Sequence, residues 1–175
     1  MSIISPTFIR PNINNKSSVI ELFEEMKQIY HYYDVSSKVV EIIEGKNVGC
    51  CGLIRSYTDF SSLASVLPKL RENRRFQELN LKISEKQFGE TTTNGQMWLT
   101  IFGSRNWKSN PVSMVRQYSV SRNHLPDMLS ILSEIQNILD KKRLMFWVWY
   151  RPLGRGFLLY IYLNSSSLWI IGVRC

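Results

Sequence analysis

Residues 141–163 of this chain read KKRLMFWVWYRPLGRGFLLYIYL. Three cations open the stretch, seven apolar residues follow from Leu144 to Tyr150, the run Arg151-Pro152-Leu153-Gly154-Arg155-Gly156 interrupts them, and seven more apolar residues close it. Two apolar runs around a Pro/Gly turn predict a β-hairpin. The stretch contains Lys141, Lys142, Arg143, Arg151 and Arg155 and no acid. Aromatic bulk beside unpaired cations suits a surface that meets an anionic partner, nucleic acid or lipid. The apolar sides of such a hairpin read as core, which confines the binding residues to its two ends.

Working back from the hairpin, Asn123 caps the longest predicted helix, with Pro126 and Asp127 in the first turn, where both are favoured. Leu125, Met128, Leu129, Leu132, Ile135 and Leu139 form its apolar stripe, and Ile131 and Ile138 widen it, which predicts burial on more than one side. Lys141 to Arg143 then fall at its C-terminal end, where cations favour the dipole. Past the hairpin, Leu168 to Val173 predicts a last strand. Upstream, Gln96 to Phe102 and Val112 to Ser121 read as strands, Leu79, Leu81 and Ile83 alternate like a half-buried strand, and Gly89 to Gly95 reads as a polar loop.

In the first half, Ser18 and Glu21 have capping-box spacing at the start of a helix whose apolar face is Val19, Leu22, Phe23, Met26, Ile29, Tyr30 and Tyr33. Lys38 to Glu44 and Val48 to Arg55 are strands joined through Gly45-Lys46-Asn47. Ser56 to Leu67 is a helix capped by Thr58 or Asp59, with Phe60, Leu63, Ala64 and Leu67 on one face and Pro68 ending it. Next comes the basic run Lys69, Arg71, Arg74 and Arg75, against Glu72 alone. Residues 1–15, where Pro6 and Pro11 bracket Phe8 and Ile9, read as a flexible N-terminal arm, and residues 16–175 as a single domain with no internal repeat. Phe8 and Ile9 are the candidates for anchoring that arm to a neighbouring subunit.

Composition narrows the function. Hydrophobic residues make up 44% and aromatics 12%, ample for a core. Twenty-two Lys and Arg against fourteen Asp and Glu give a net charge of +8, which favours a polyanionic partner. The three cysteines, two of them adjacent at Cys50 and Cys51, form neither a metal spacing nor a disulfide framework, so a reducing intracellular setting is expected. There is no signal-peptide pattern and no apolar run of spanning length, so peripheral rather than transmembrane contact with lipid is expected. His31 and His124 stand far apart, and the sequence contains no phosphate-binding loop, nucleophile elbow or zinc pattern. With so few candidate general bases, the expectation is a binding protein without cofactor or metal, not an enzyme.

Three segments carry a family resemblance. Arg55-Ser56-Tyr57-Thr58-Asp59-Phe60, followed by the small-residue helix Ser61 to Leu67, resembles a segment of rhabdovirus matrix proteins, in which a strand ends in an aromatic Ser/Thr-Asp turn that caps an alanine-rich helix. The helix running into Leu144-Met145-Phe146 and then the glycine-containing hairpin is similar to the way those proteins close their domain, and Gln96 to Phe102 looks like their central strand. The matched segments cover about a third of the chain. The lysine-rich leader and the PPxY and PTAP motifs of better-known members are missing, and Tyr150-Arg151-Pro152-Leu153 fits YxxL only inside the hairpin. The length is closer to the plant-infecting, cytorhabdovirus-like branch.

The resemblance implies an α+β domain with an antiparallel sheet and about three helices packed against it. It also implies a virion structural protein beneath the envelope and at inner membrane surfaces of the host cytoplasm. Such a protein self-associates, condenses the viral nucleocapsid and its RNA, and meets the anionic membrane during assembly and budding; host proteins are further partners of this class. The residues expected to carry the anionic contact are Lys141, Lys142, Arg143, Arg151 and Arg155, then Lys69, Arg71, Arg74 and Arg75. The rival expectation is a nucleic-acid-binding viral regulator, such as an RNA-silencing suppressor, with Trp107, Tyr118 or Trp149 stacking on bases.

Overall fold

The computed structural model describes residues 2–45, 47–93, 96–102, 114–141, 145–153 and 156–164. Along them run β1 (Ile3–Pro11), α1 (Lys16–Tyr32), β2 (Ser36–Glu41), β3 (Cys51–Tyr57), α2 (Phe60–Glu72), α3 (Arg74–Ser84), β4 (Gly89–Thr93), β5 (Trp98–Phe102), β6 (Met114–Ser121), a short turn of 3-10 helix (Arg122–His124), α4 (Leu125–Lys141), β7 (Met145–Leu153) and β8 (Gly156–Asn164). The fold is α+β, and the pairings within each of its two compact units, Met1–Trp98 and Leu99–Cys175, are antiparallel.

In the first unit β3 pairs with β1 and β2, and β1 pairs with β4, giving the order β2-β3-β1-β4. With the chain order βαββαβ, this is the ferredoxin-like arrangement, its second crossover split into α2 and α3. Alternation sorts the strands into two faces. Ile3, Thr7 and Ile9 of β1 and Cys51, Leu53, Arg55 and Tyr57 of β3 lie on the helix side, all buried, over Val19, Leu22, Phe23, Met26 and Tyr30 of α1 and Val66, Leu70, Leu79 and Ile83 of α2 and α3. The opposite face carries Ile4, Pro6 and Phe8 against Ser56, Ile54 and Gly52. The Phe8 ring lies where a Gly52 side chain would stand, so the ladder needs glycine there.

Several expectations are corrected. The flexible arm is a strand: Ile3 to Ile9 pair with Tyr57 to Cys51, and Ile9 is buried in the core. The extended backbone that proline favours serves a strand as well as a loop, and the two prolines disguised an alternating apolar pattern. Leu79 and Ile83 belong to α3, four residues apart and buried, while Leu81 between them is exposed; the same three residues fit both periods, and the helical one is realised. Residues Gly89–Thr93 are β4, not a loop. Asn15, not Ser18, precedes α1. Asp59 does cap α2, accepting from the Ser62 N–H at 2.7 Å, but the helix continues past Pro68, and it buries Val66 and Leu70 while Phe60 and Leu67 stay exposed.

The second unit pairs its strands in the order β5-β7-β8-β6. The expected hairpin forms: β7 and β8 are in register from Met145↔Asn164 to Leu153↔Gly156. Arg151, on β7, faces Leu158 in that register, and Lys141 closes α4. Ile131 and Ile138 of α4 are 52% and 55% exposed, so the widened stripe is not covered on both sides. Although the sequence shows no repeat, the topology does. The run β6-α4-β7-β8 repeats β1-α1-β2-β3, with the same strand order, the same antiparallel pairings and a 17-residue helix in each.

Candidate anion-binding site

Of the residues expected to contact anions, Lys142, Arg143 and Arg155 lie outside the described residues, as do Trp107 and the strand expected at 168–173. The second basic run is fully described, and the fold gathers it at one corner. Asn73 ends α2 and begins α3, its side-chain carbonyl accepting from the Phe76 N–H at 2.9 Å. That junction brings the last turn of α2, with Lys69 and Arg71, beside the first turn of α3, with Arg74 and Arg75.

The four cations are not equivalent. Arg75 donates to Glu25 of α1 at 2.5 Å and to Glu78 at 3.1 Å. Hydrogen bonding to Glu25 and then to Glu78 holds its guanidinium still more firmly protonated, and Arg75 in turn holds the Glu78 carboxyl below its usual range. Arg74 reaches Glu78 at 3.2 Å from a side chain that is 92% exposed. Lys69 and Arg71 are exposed and have no ion pair among the described residues. Beside Arg75 runs a shallow groove of about 270 Å³, lined by Glu25, Gln28, Ile29, Tyr32, Asn73 and Arg75. Among the described residues the corner therefore offers two cations without ion pairs, one loosely paired cation and an exposed tyrosine.

Phe8 and Ile9 do not belong to a surface arm. Ile9 is buried on the helix side, and Phe8 is half-buried over Gly52 on the other face. On β1 and β3 that face carries one aromatic, Phe8. Cys50 and Cys51 are buried and free, and burial first, then the charge of Glu41, pushes the Cys51 thiol up, away from reactivity. Among the described residues no cluster of His, Cys, Asp or Glu could hold a metal, and no helix is long and apolar enough to cross a membrane.

One polar constellation escaped the sequence reading. Arg55, in the middle of β3, is only 9% exposed. Its Nε donates to the Ser5 carbonyl at 2.8 Å, Nη1 to the Tyr30 hydroxyl at 3.0 Å and Nη2 to Thr7 Oγ1 at 2.7 Å, and its carbon sits 5.4 Å from the centre of the Tyr30 ring. Tyr57, two residues on along the same face, is a phenol whose pKa burial drives far up. A lone cation inside an otherwise apolar strand, Cys51-Gly52-Leu53-Ile54-Arg55, was the available signal.

No family model matches the chain, and no curated protein does. Among solved structures it is similar to a candidate monooxygenase from Fusobacterium nucleatum, with a TM-score of 0.61 and 11% identity over 94% of this chain and 76% of that one. It is also similar to a NIPSNAP family protein from Agrobacterium tumefaciens, with a TM-score of 0.44 and 14% identity over 57% of this chain and 92% of that one. The first likeness agrees with the α+β architecture described above; the second is too slight to carry an argument.

Proposed function

We propose that the chain is a binding and assembly protein that meets a polyanionic partner through basic corners of its surface. The observation that carries this reading is the α2–α3 corner, where Lys69 and Arg71 stand exposed without ion pairs among the described residues, on a protein of net charge +8. In its specific form, which rests on the rhabdovirus matrix resemblance, the protein self-associates, condenses a viral ribonucleoprotein and links it to an anionic membrane face. In that form Lys141, Lys142, Arg143, Arg151 and Arg155 supply a second contact. An oxygenase activity is not part of the proposal, since 11% identity to the Fusobacterium protein carries the fold alone.

The test is a Lys69→Glu/Arg71→Glu double variant, compared with the parent in single-stranded RNA gel shifts and in flotation with phosphatidylserine vesicles. Removing two cation contacts should weaken binding and lower the slope of log affinity against log salt by roughly 1.4 on RNA. Unchanged affinity and slope on both partners would remove the corner from the proposal. Loss on RNA alone or on vesicles alone identifies the partner this corner serves.

A further inference from the structure

We propose that Arg55 is the receptor of a small monocarboxylate, held between α1 and the sheet of the first unit. A buried guanidinium costs several kcal/mol unless an anion compensates it. Among the described residues the chain supplies none. Of its fourteen acids only Asp140, on α4 in the second unit, lacks a described side chain, and none lies in the undescribed segments. None of the described acids pairs with Arg55, and its acceptors are a carbonyl and two hydroxyls, all neutral.

Donors with capacity to spare stand on the same face of the sheet as Arg55. A guanidinium has five N–H groups, and three are used, which leaves two. The Tyr30 hydroxyl accepts from Arg55 and keeps its own proton to donate. The Tyr57 phenol stays neutral, hence a donor. Directly across the ladder from Arg55, on the same face, the buried Ser37 hydroxyl has no hydrogen-bond partner among the described residues. Guanidinium N–H groups match the two oxygens of a carboxylate, and one buried positive charge balances one negative charge. A phosphate dianion would bring a second, uncompensated charge into the interior. Tyr30 and Tyr57 are almost fully covered, so the ligand reaches Arg55 through a local opening between α1 and β3.

The experiment uses the full chain and follows thermal unfolding against increasing acetate, propionate or benzoate, with chloride and inorganic phosphate at matched ionic strength. A saturable rise in melting temperature with at least one carboxylate, absent with chloride, is expected. Arg55→Gln should abolish that rise, and Arg10→Gln, an exposed arginine of β1, should retain it. Because Arg55→Gln also disturbs the core, Ser37→Ala and Tyr57→Phe, which keep the cation, provide a second reading: each should shift the carboxylate midpoint to concentrations several-fold higher. A rise equal to that with chloride, a carboxylate response that survives Arg55→Gln, or unchanged midpoints in both hydroxyl variants would overturn the proposal. A stronger response to phosphate than to any carboxylate would overturn the ligand class.

Discussion

Two arginines of the first unit, twenty residues apart, show how differently one chain uses the same side chain. Arg75 stands half-exposed at the α2–α3 corner with two carboxylates, Glu25 and Glu78, while Arg55 lies buried with none among the described residues. In water, the paired arginine contributes little, because solvent screens what its partners offer. In the interior, three neutral acceptors hold the unpaired one in place, and every displaced hydrogen bond there counts. Among the described residues, the cations therefore divide into those that the surface presents and Arg55, which the core encloses.

The contrast breaks first if the interior is not where stability resides. Phe23 of α1 is fully buried on the helix side of the sheet. Phe23→Ala should cost about 3–5 kcal/mol in denaturant unfolding, the largest effect predicted, since it removes an aromatic ring and leaves a cavity. Tyr30→Phe keeps the ring, including its edge-on packing against Phe76 at 5.5 Å, and deletes the acceptor of one Arg55 N–H. A loss of about 1–3 kcal/mol is expected from leaving that buried donor unpaired. A Tyr30→Phe protein as stable as the parent would mean that Arg55 is solvated after all, and the distinction between the two arginines would collapse.

The pH dependence sharpens the same point. Burial is the largest cause of the raised Tyr57 pKa, with the neighbouring Tyr30 adding to it and Arg55 opposing it. The folded state therefore keeps a proton that the unfolded chain releases near pH 10. Above that pH the folded state binds more protons than the unfolded one, so stability falls as pH rises through the alkaline range. Chemical denaturation from pH 8 to 11 should show this decline, and Tyr57→Phe should flatten it. An unaltered decline in the variant would assign it to other groups.

How much of this was legible in the sequence depended on whether a local pattern had one interpretation. The β7–β8 hairpin was, because two long apolar runs around Pro152 and Gly154 admit little else. The α2 cap was narrowed to Thr58 or Asp59, and Asp59 takes it. β1 was not legible, since Pro6 and Pro11 mimic a loop and only pairing with β3 makes them a strand. Nor was α3, where Leu79-x-Leu81-x-Ile83 satisfies a strand until Asn73 is seen to cap a helix. The basic corner was visible as a run of cations, but Glu25, which neutralises Arg75, comes from fifty residues upstream and no local reading could supply it. Arg55 looked like the end of a strand; that no described carboxylate pairs with it is a three-dimensional fact.

The smallest predicted effect concerns Glu25. Its ion pair with Arg75 is exposed on both sides, about half of each side chain being open to solvent. Glu25→Gln should therefore leave the unfolding midpoint unchanged within error, since an exposed pair loses little when one charge goes. The cation left behind is a different matter. Freed from one carboxylate and still tied to Glu78, Arg75 joins Lys69 and Arg71 on the solvent side of the corner. If that corner meets a polyanion, the variant should bind RNA or anionic vesicles more tightly than the parent, and on RNA its salt slope should steepen by up to ~0.7 for the added contact. Gain of binding without gain or loss of stability is an outcome that a merely structural ion pair would not give. Equal binding by the two proteins would remove Arg75 from the binding corner.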